Sequence, residues 1–160
     1  MTSPAGSSPA PFRIALIVSR YHEFVTDRLE AGARAALRDS GLSDGDIATF
    51  KVPGAYELAQ AAQRVAEGGF WDAVICLGCL IRGETPHFDY IARAAAEGIM
   101  RASQATGVPI AFGVLTTNTA EEAMARAGDG PANKGRESAA AALEMATLYR
   151  SMSHRAGHTS

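Results

Sequence analysis

Three stretches of this chain are apolar almost from end to end. They are residues 12–19 (Phe-Arg-Ile-Ala-Leu-Ile-Val-Ser), 73–81 (Ala-Val-Ile-Cys-Leu-Gly-Cys-Leu-Ile) and 109–116 (Pro-Ile-Ala-Phe-Gly-Val-Leu-Thr). A strand with one wet face alternates apolar and polar residues, whereas a strand covered on both faces does not. The runs therefore predict strands of a parallel sheet clad on both sides, with a shorter and weaker strand at 47–52. Helical spacing fills the gaps. Val25, Leu29, Ala33, Ala36 and Leu37 make one stripe, which stops near Gly41. Leu58, Ala62, Val65 and Ala66 make a second, ending at Gly68-Gly69, and Phe88, Ile91, Ala95 and Ile99 a third, ending near Gly107. Thr119 with Glu122 three residues on reads as a capping box opening a fourth helix. An alanine-rich last helix is expected over roughly 136–150, with Ala139, Leu143, Ala146 and Tyr149 along one face.

The order β-α-β-α-β-α-β-α-α predicts an α/β fold: a three-layer sandwich with a four-stranded parallel sheet, right-handed crossovers and helices on both faces. With 160 residues and no internal repeat, the chain is read as one domain over 12–152. A Ser/Pro/Ala-rich arm precedes it at 1–11 and a polar tail follows at 153–160. The net charge of −2 gives no basic excess for nucleic acid. No apolar run approaches a membrane span, and the arm lacks the marks of a signal peptide, so a cytoplasmic protein is expected.

Parallel sheets bind ligands beyond the carboxyl ends of their strands. Four segments fall there: 19–22 (Ser-Arg-Tyr-His), 52–57 (Val-Pro-Gly-Ala-Tyr-Glu), 80–87 (Leu-Ile-Arg-Gly-Glu-Thr-Pro-His) and 116–118 (Thr-Thr-Asn). In the third, Thr85 reads as an N-cap and Pro86 as the first helical residue. His87 then stands in the first turn, where outward backbone N–H groups make an anion site. An imidazole there can carry protons near neutral pH. Gly78 and Gly83 superficially suggest a nucleotide loop, but Glu84-Thr85 follows instead of Lys-Ser/Thr, and no dinucleotide fingerprint follows the first strand. Glu57 reads equally as a carboxylate complementing a helix start or as an acceptor for a polyhydroxyl ligand. Tyr21 reads as a core aromatic or as a platform for a planar ring. Lys134 and Arg126 read alone as solvated charges, and His22 as exposed. Cys76 and Cys79, three apart on a strand, should point to opposite faces, which argues against a redox or zinc pair. His154 and His158, in a stretch with Gly157, are not read as a metal pair.

Five ordered segments carry a family resemblance: 19–21, 52–57, 77–90, 112–117 (Phe-Gly-Val-Leu-Thr-Thr), and 126–128 leading to Asn133-Lys134-Gly135. Together they resemble lumazine synthase, the riboflavin-pathway enzyme, from about residue 12 to 150. The resemblance implies a flavodoxin-like strand order. It also implies condensation of 5-amino-6-(ribitylamino)uracil with 3,4-dihydroxy-2-butanone 4-phosphate to 6,7-dimethyl-8-ribityllumazine, with neither cofactor nor metal. By resemblance, Tyr21 would stack on the uracil and Ala55, Tyr56 and Glu57 would hold the ribityl chain. Backbone at Leu80 and Ile81 would meet the pyrimidine edge, Glu84 and Thr85 would bind phosphate through their N–H groups, and His87 would shuttle protons. Phe112, Arg126 and Lys134 would come from the neighbouring subunit of a homopentamer. In some members of the family twelve pentamers close into an icosahedral shell, and the sequence leaves pentamer and shell both open. Tyr21 stands where the family more often has phenylalanine, and residues 129–132 depart from the usual loop. A non-catalytic ligand binder, a structural shell, and a receiver or flavodoxin-like carrier are the competing readings. Ser19-Arg20-Tyr21 supplies neither the acidic cluster of a receiver nor a phosphate loop.

Overall fold

The computed structural model describes residues 10–158, with side chains as far as Arg155. Most of the expected N-terminal arm, and residues 159–160 of the tail, lie outside the described residues. Four strands form one parallel sheet: β1 (Ile14–Ser19), β2 (Ile47–Val52), β3 (Ala73–Ile81) and β4 (Ile110–Thr117). Their order is β2-β1-β3-β4, with every pairing parallel. The helices are α1 (Glu23–Asp39), α2 (Leu58–Glu67), α3 (His87–Thr106), α4 (Ala120–Ala125) and α5 (Lys134–His158). Tight turns of 3-10 helix at Asp44–Asp46 and Ala55–Glu57 precede β2 and α2.

The two inner strands explain why the apolar runs do not alternate. On β1, Ile14, Leu16 and Val18 face one core with Val25, Leu29 and Leu37 of α1 and Ala139, Ala142 and Ala146 of α5. Ala15 and Ile17 face a second core with Leu58, Ala62 and Ala66 of α2 and Ile99 of α3. Cys76 belongs to the second core and Cys79 to the first, so the two thiols do point oppositely. Both are free and buried, and burial pushes the Cys79 thiol up to about 11 and Cys76 further still. Neither is a nucleophile at neutral pH.

Several element ends differ from the sequence reading. Phe12 and Arg13 precede β1, and β4 ends one residue later than expected, at Thr117. The last helix runs from Lys134 to His158 instead of stopping near 150; Gly157 does not break it. Its face is Ala139, Ala142 and Ala146, while Leu143 is half-buried and Tyr149 exposed. Small residues here let α5 lie close to α1. Gly135 makes the tightest approach, because a Cβ there would run into the Leu29 carbonyl. Thr119 caps α4, accepting from the Glu122 N–H at 3.1 Å, but the Glu122 carboxylate reaches back to the N–H of Asn118.

Candidate active site

A cleft of about 790 Å³ opens beyond the carboxyl ends of β1, β2 and β3. Three strand-end segments build it. After β1, the chain turns at His22, whose φ of 64° is the left-handed region that non-glycine residues seldom occupy. That turn leaves Tyr21 66% exposed, with its ring edge-on to His22 at 4.5 Å. The Tyr21 N–H is tied to Pro53 O and the Arg20 N–H to Val52 O, which sets the first segment beside the second. In the second segment, Glu57 Oε1 accepts from the Gly54 N–H at 2.9 Å, holding the Ala55–Glu57 turn. Ala55 is buried under the turn and Tyr56 is 65% exposed at the rim.

The third segment follows β3. Leu80 and Ile81 are the half-buried end of the strand. Gly78 lies beneath them, and a Cβ there would stand 2.9 Å from Leu58 Cδ1 and 3.2 Å from Ser19 Oγ, so the Leu58 side chain would have to shift. The helix start is one residue later than expected. The N-cap is Pro86, whose carbonyl accepts from the Asp89 N–H, and the Thr85 side chain makes no capping bond. A proline suits this place because the N-cap needs only its carbonyl to begin the ladder. No side chain caps the first turn of α3, and His87 lies exposed there, facing the cleft with Thr85 and Phe88. Glu84 is exposed in the loop and is not part of the lining.

Of the residues singled out in the sequence, Tyr21, Ala55, Tyr56, Glu57, Leu80, Ile81, Thr85 and His87 line this one cleft. Phe112, Arg126 and Lys134 do not. They line a separate groove of about 420 Å³ on the outer edge of β4, with Thr116, Ala132 and Glu137. Arg126 is exposed at the C-cap of α4, and its carbonyl accepts from the Lys134 N–H. Lys134 was expected as a solvated charge; its side chain is partly exposed and its ammonium pairs with the exposed Glu137 at 3.2 Å.

Seven lining residues were not assigned to the site in the sequence: Gly54, Cys79 and Gly83, and the side chains of His22, Phe88, Tyr90 and Ile91. His22 was expected to be exposed, but it is half-buried in the cleft wall, where burial pushes its imidazole below the usual value. Phe88 and Ile91 belong to the helical stripe of α3; both are half-buried and line the cleft from that helix, and Ile91 also packs against the second core. Tyr90, 72% exposed, carries no periodic signal. Asn133 was quoted only as part of a motif. It caps α5, accepting from the Arg136 N–H and donating to the Arg28 and Gly128 carbonyls. It therefore fastens the Arg126–Lys134 loop to α1. Among the described residues no group of three or more His, Cys, Asp or Glu side chains is placed to hold a metal ion. No described helix is long and apolar enough to cross a membrane.

The cleft brings several kinds of binding group together. Aromatic faces stand at its rim, a carboxylate at one side, and backbone N–H groups with an imidazole at the other. The sequence profile of the family described as 6,7-dimethyl-8-ribityllumazine synthase matches residues 11–150. The chain is similar to proteins of that name from Chlorobium phaeovibrioides, at 52% identity over 140 residues, and Chloroherpeton thalassium, at 49% over 140 residues. Each alignment covers 88% of this chain and 90% of the relative. The cleft, the groove and these likenesses lead to one conclusion: the chain belongs to the 6,7-dimethyl-8-ribityllumazine synthase family.

Proposed function

We propose that the protein condenses 5-amino-6-(ribitylamino)uracil with 3,4-dihydroxy-2-butanone 4-phosphate, releasing 6,7-dimethyl-8-ribityllumazine, phosphate and two waters. The working site is a composite, in which the β1–β3 cleft of one subunit meets the β4-edge groove of the next in a homopentamer. One observation supports the composite above all. The residues that the chemistry requires fall into two depressions that share no lining residue. A cleft rich in aromatic and polar binding groups lacks the guanidinium that a phosphate wants, and the groove that has one lacks the rest.

In this reading Tyr21 stacks on the pyrimidine, and the 54–57 turn presents the Glu57 carboxylate to the ribityl hydroxyls. The end of β3 meets the ring's polar edge. The open N–H groups before α3, with Arg126 from the neighbour, hold the phosphate. The amine attacks the ketone and water leaves to give an imine. Phosphate is eliminated next, and the second amine closes the ring with loss of another water. Every step moves protons, and His87 is placed to relay them. No step requires a protein nucleophile, so holding two reactants in register is the main source of rate.

Mixing the two substrates and following lumazine absorbance with phosphate release tests the reaction, and no turnover by the folded protein rejects it. Sedimentation alongside the assay tests the shared site, which a fully active monomer overturns.

A further inference from the structure

Arg82 belongs to neither depression, yet it touches the frame of the loop between them. Its backbone N–H donates to Thr117 O at 2.8 Å. Its Nε donates to Asn118 Oδ1 at 3.2 Å and its Nη2 to Asp89 Oδ1 at 3.2 Å. The guanidinium lies over the Phe88 ring, 4.5 Å from its centre. One residue thus joins the end of β3, the end of β4 and the first turn of α3. Between its partners lies the whole 83–86 loop, and His87 directly precedes the ring it stacks on. Asn118 is itself held, because its N–H donates to the Glu122 carboxylate.

We infer that Arg82 is a positioning residue for the reaction proposed above: a guanidinium strut that sets the 83–86 loop and His87 against the tip of β4. The inference rests on that reading of the cleft. Stability is not its main output. The Arg82 and Asp89 side chains are 47% and 58% exposed, and an ion pair so open to water contributes little to folding. Geometry is a different matter, since a planar fork satisfies Asn118 and Asp89 together while stacking on Phe88. A lysine ammonium is a point charge without the planar fork and cannot lie flat on the ring. A loop whose N–H groups must meet a phosphate is sensitive to displacements that leave the fold intact.

The test compares Arg82→Ala, Arg82→Lys, Asp89→Asn, Asn118→Ala and the double variant Arg82→Ala/Asn118→Ala with the wild type. Melting temperature and the KM of each substrate are measured separately. The strut predicts that Arg82→Ala raises the KM of the butanone phosphate about tenfold and lowers kcat, with the pyrimidine KM within about twofold. Arg82→Lys should recover little. Asn118→Ala should reproduce part of the loss, and the double variant should be no worse than Arg82→Ala alone, as for residues acting through one contact. If Arg82 instead meets the substrate by charge, Arg82→Lys stays near wild type and Asn118→Ala changes nothing; that result overturns the inference. Equal losses for both substrates with a lowered melting temperature overturn it too. A wild-type protein without turnover would refute the proposed function, and phosphate-loop order, read from hydrogen exchange of residues 83–89 in wild type and Arg82→Ala, would still test the strut.

Discussion

His87 is exposed in an uncapped first turn, and the role proposed for it is proton relay alone. His87→Ala should therefore fold normally and keep measurable turnover, with kcat reduced by about 10²–10⁴-fold or less. A folded, ligand-binding but wholly inactive variant would show that the imidazole does more. Glu57 has two tasks, because the oxygen that accepts from the Gly54 N–H also shapes the turn. Glu57→Gln keeps that acceptor and loses the charge, while Glu57→Ala loses both. The KM of the ribityl substrate should rise in the order wild type, Glu57→Gln, Glu57→Ala, with the butanone phosphate KM nearly constant. Arg126→Ala should show the reverse preference, and identical responses to both substrates would refute the assignment of roles.

At the scale of elements, α5 is held against α1 at Asn133 and Gly135. A Cβ at Gly135 would meet the Leu29 carbonyl, and backbone yields less readily than a side chain. Although alanine is the better helix former, Gly135→Ala should destabilise by about 2 kcal/mol, as overpacking does. Asn133→Ala removes the cap and two further bonds and should cost about 1–3 kcal/mol. Denaturant midpoints read both. The face of α1 toward β2 carries a charge network: Glu30 accepts from Thr49 Oγ1 at 2.8 Å and pairs with Lys51 at 3.0 Å and Arg34 at 3.4 Å. Burial pushes the Glu30 carboxyl up, but the bonds from Thr49, Lys51 and Arg34 and the Lys51 charge outweigh it and hold it below 4.5. A group depressed on folding stabilises above its unfolded pKa, and that contribution fades as pH falls through the lower folded value. The acid loss of stability below about pH 4.5 should be shallower in Glu30→Gln, as measured by unfolding midpoints across pH.

At the scale of the molecule, the division of the site predicts complementation. Glu57→Ala damages the cleft and Arg126→Ala the groove, so a mixed oligomer of equal parts should contain about one intact cleft–groove pair in four. Activity of the co-assembled mixture should exceed that of either variant alone, and no gain would argue for a site within one chain. The same scale divides what could be read in advance. Element type was legible because periodicity is local: the stripes of α1 and α2 and the doubly covered runs of β1 and β3 announce their surroundings residue by residue. Three of the four strand-end segments expected to cluster do build the cleft, as turn chemistry sits next to each run; 116–118 does not line it, and Thr116 lines the groove instead. Phe88 and Ile91 were read as part of a helical stripe and not placed in the cleft, because a stripe cannot distinguish a covered face from a cleft wall. His22 was read as exposed because nothing in Ser-Arg-Tyr-His foretells a left-handed histidine. By itself, the sequence determined the alternating elements, the parallel clad sheet and the chemistry gathered at its carboxyl end. The flavodoxin-like order was implied by the family resemblance and by no local pattern; the tertiary structure bears it out as β2-β1-β3-β4, and with β4 on the edge it puts Arg126 and Lys134 out of reach of the cleft lining. Strand neighbours are chosen by packing between distant segments, and no local pattern records that choice.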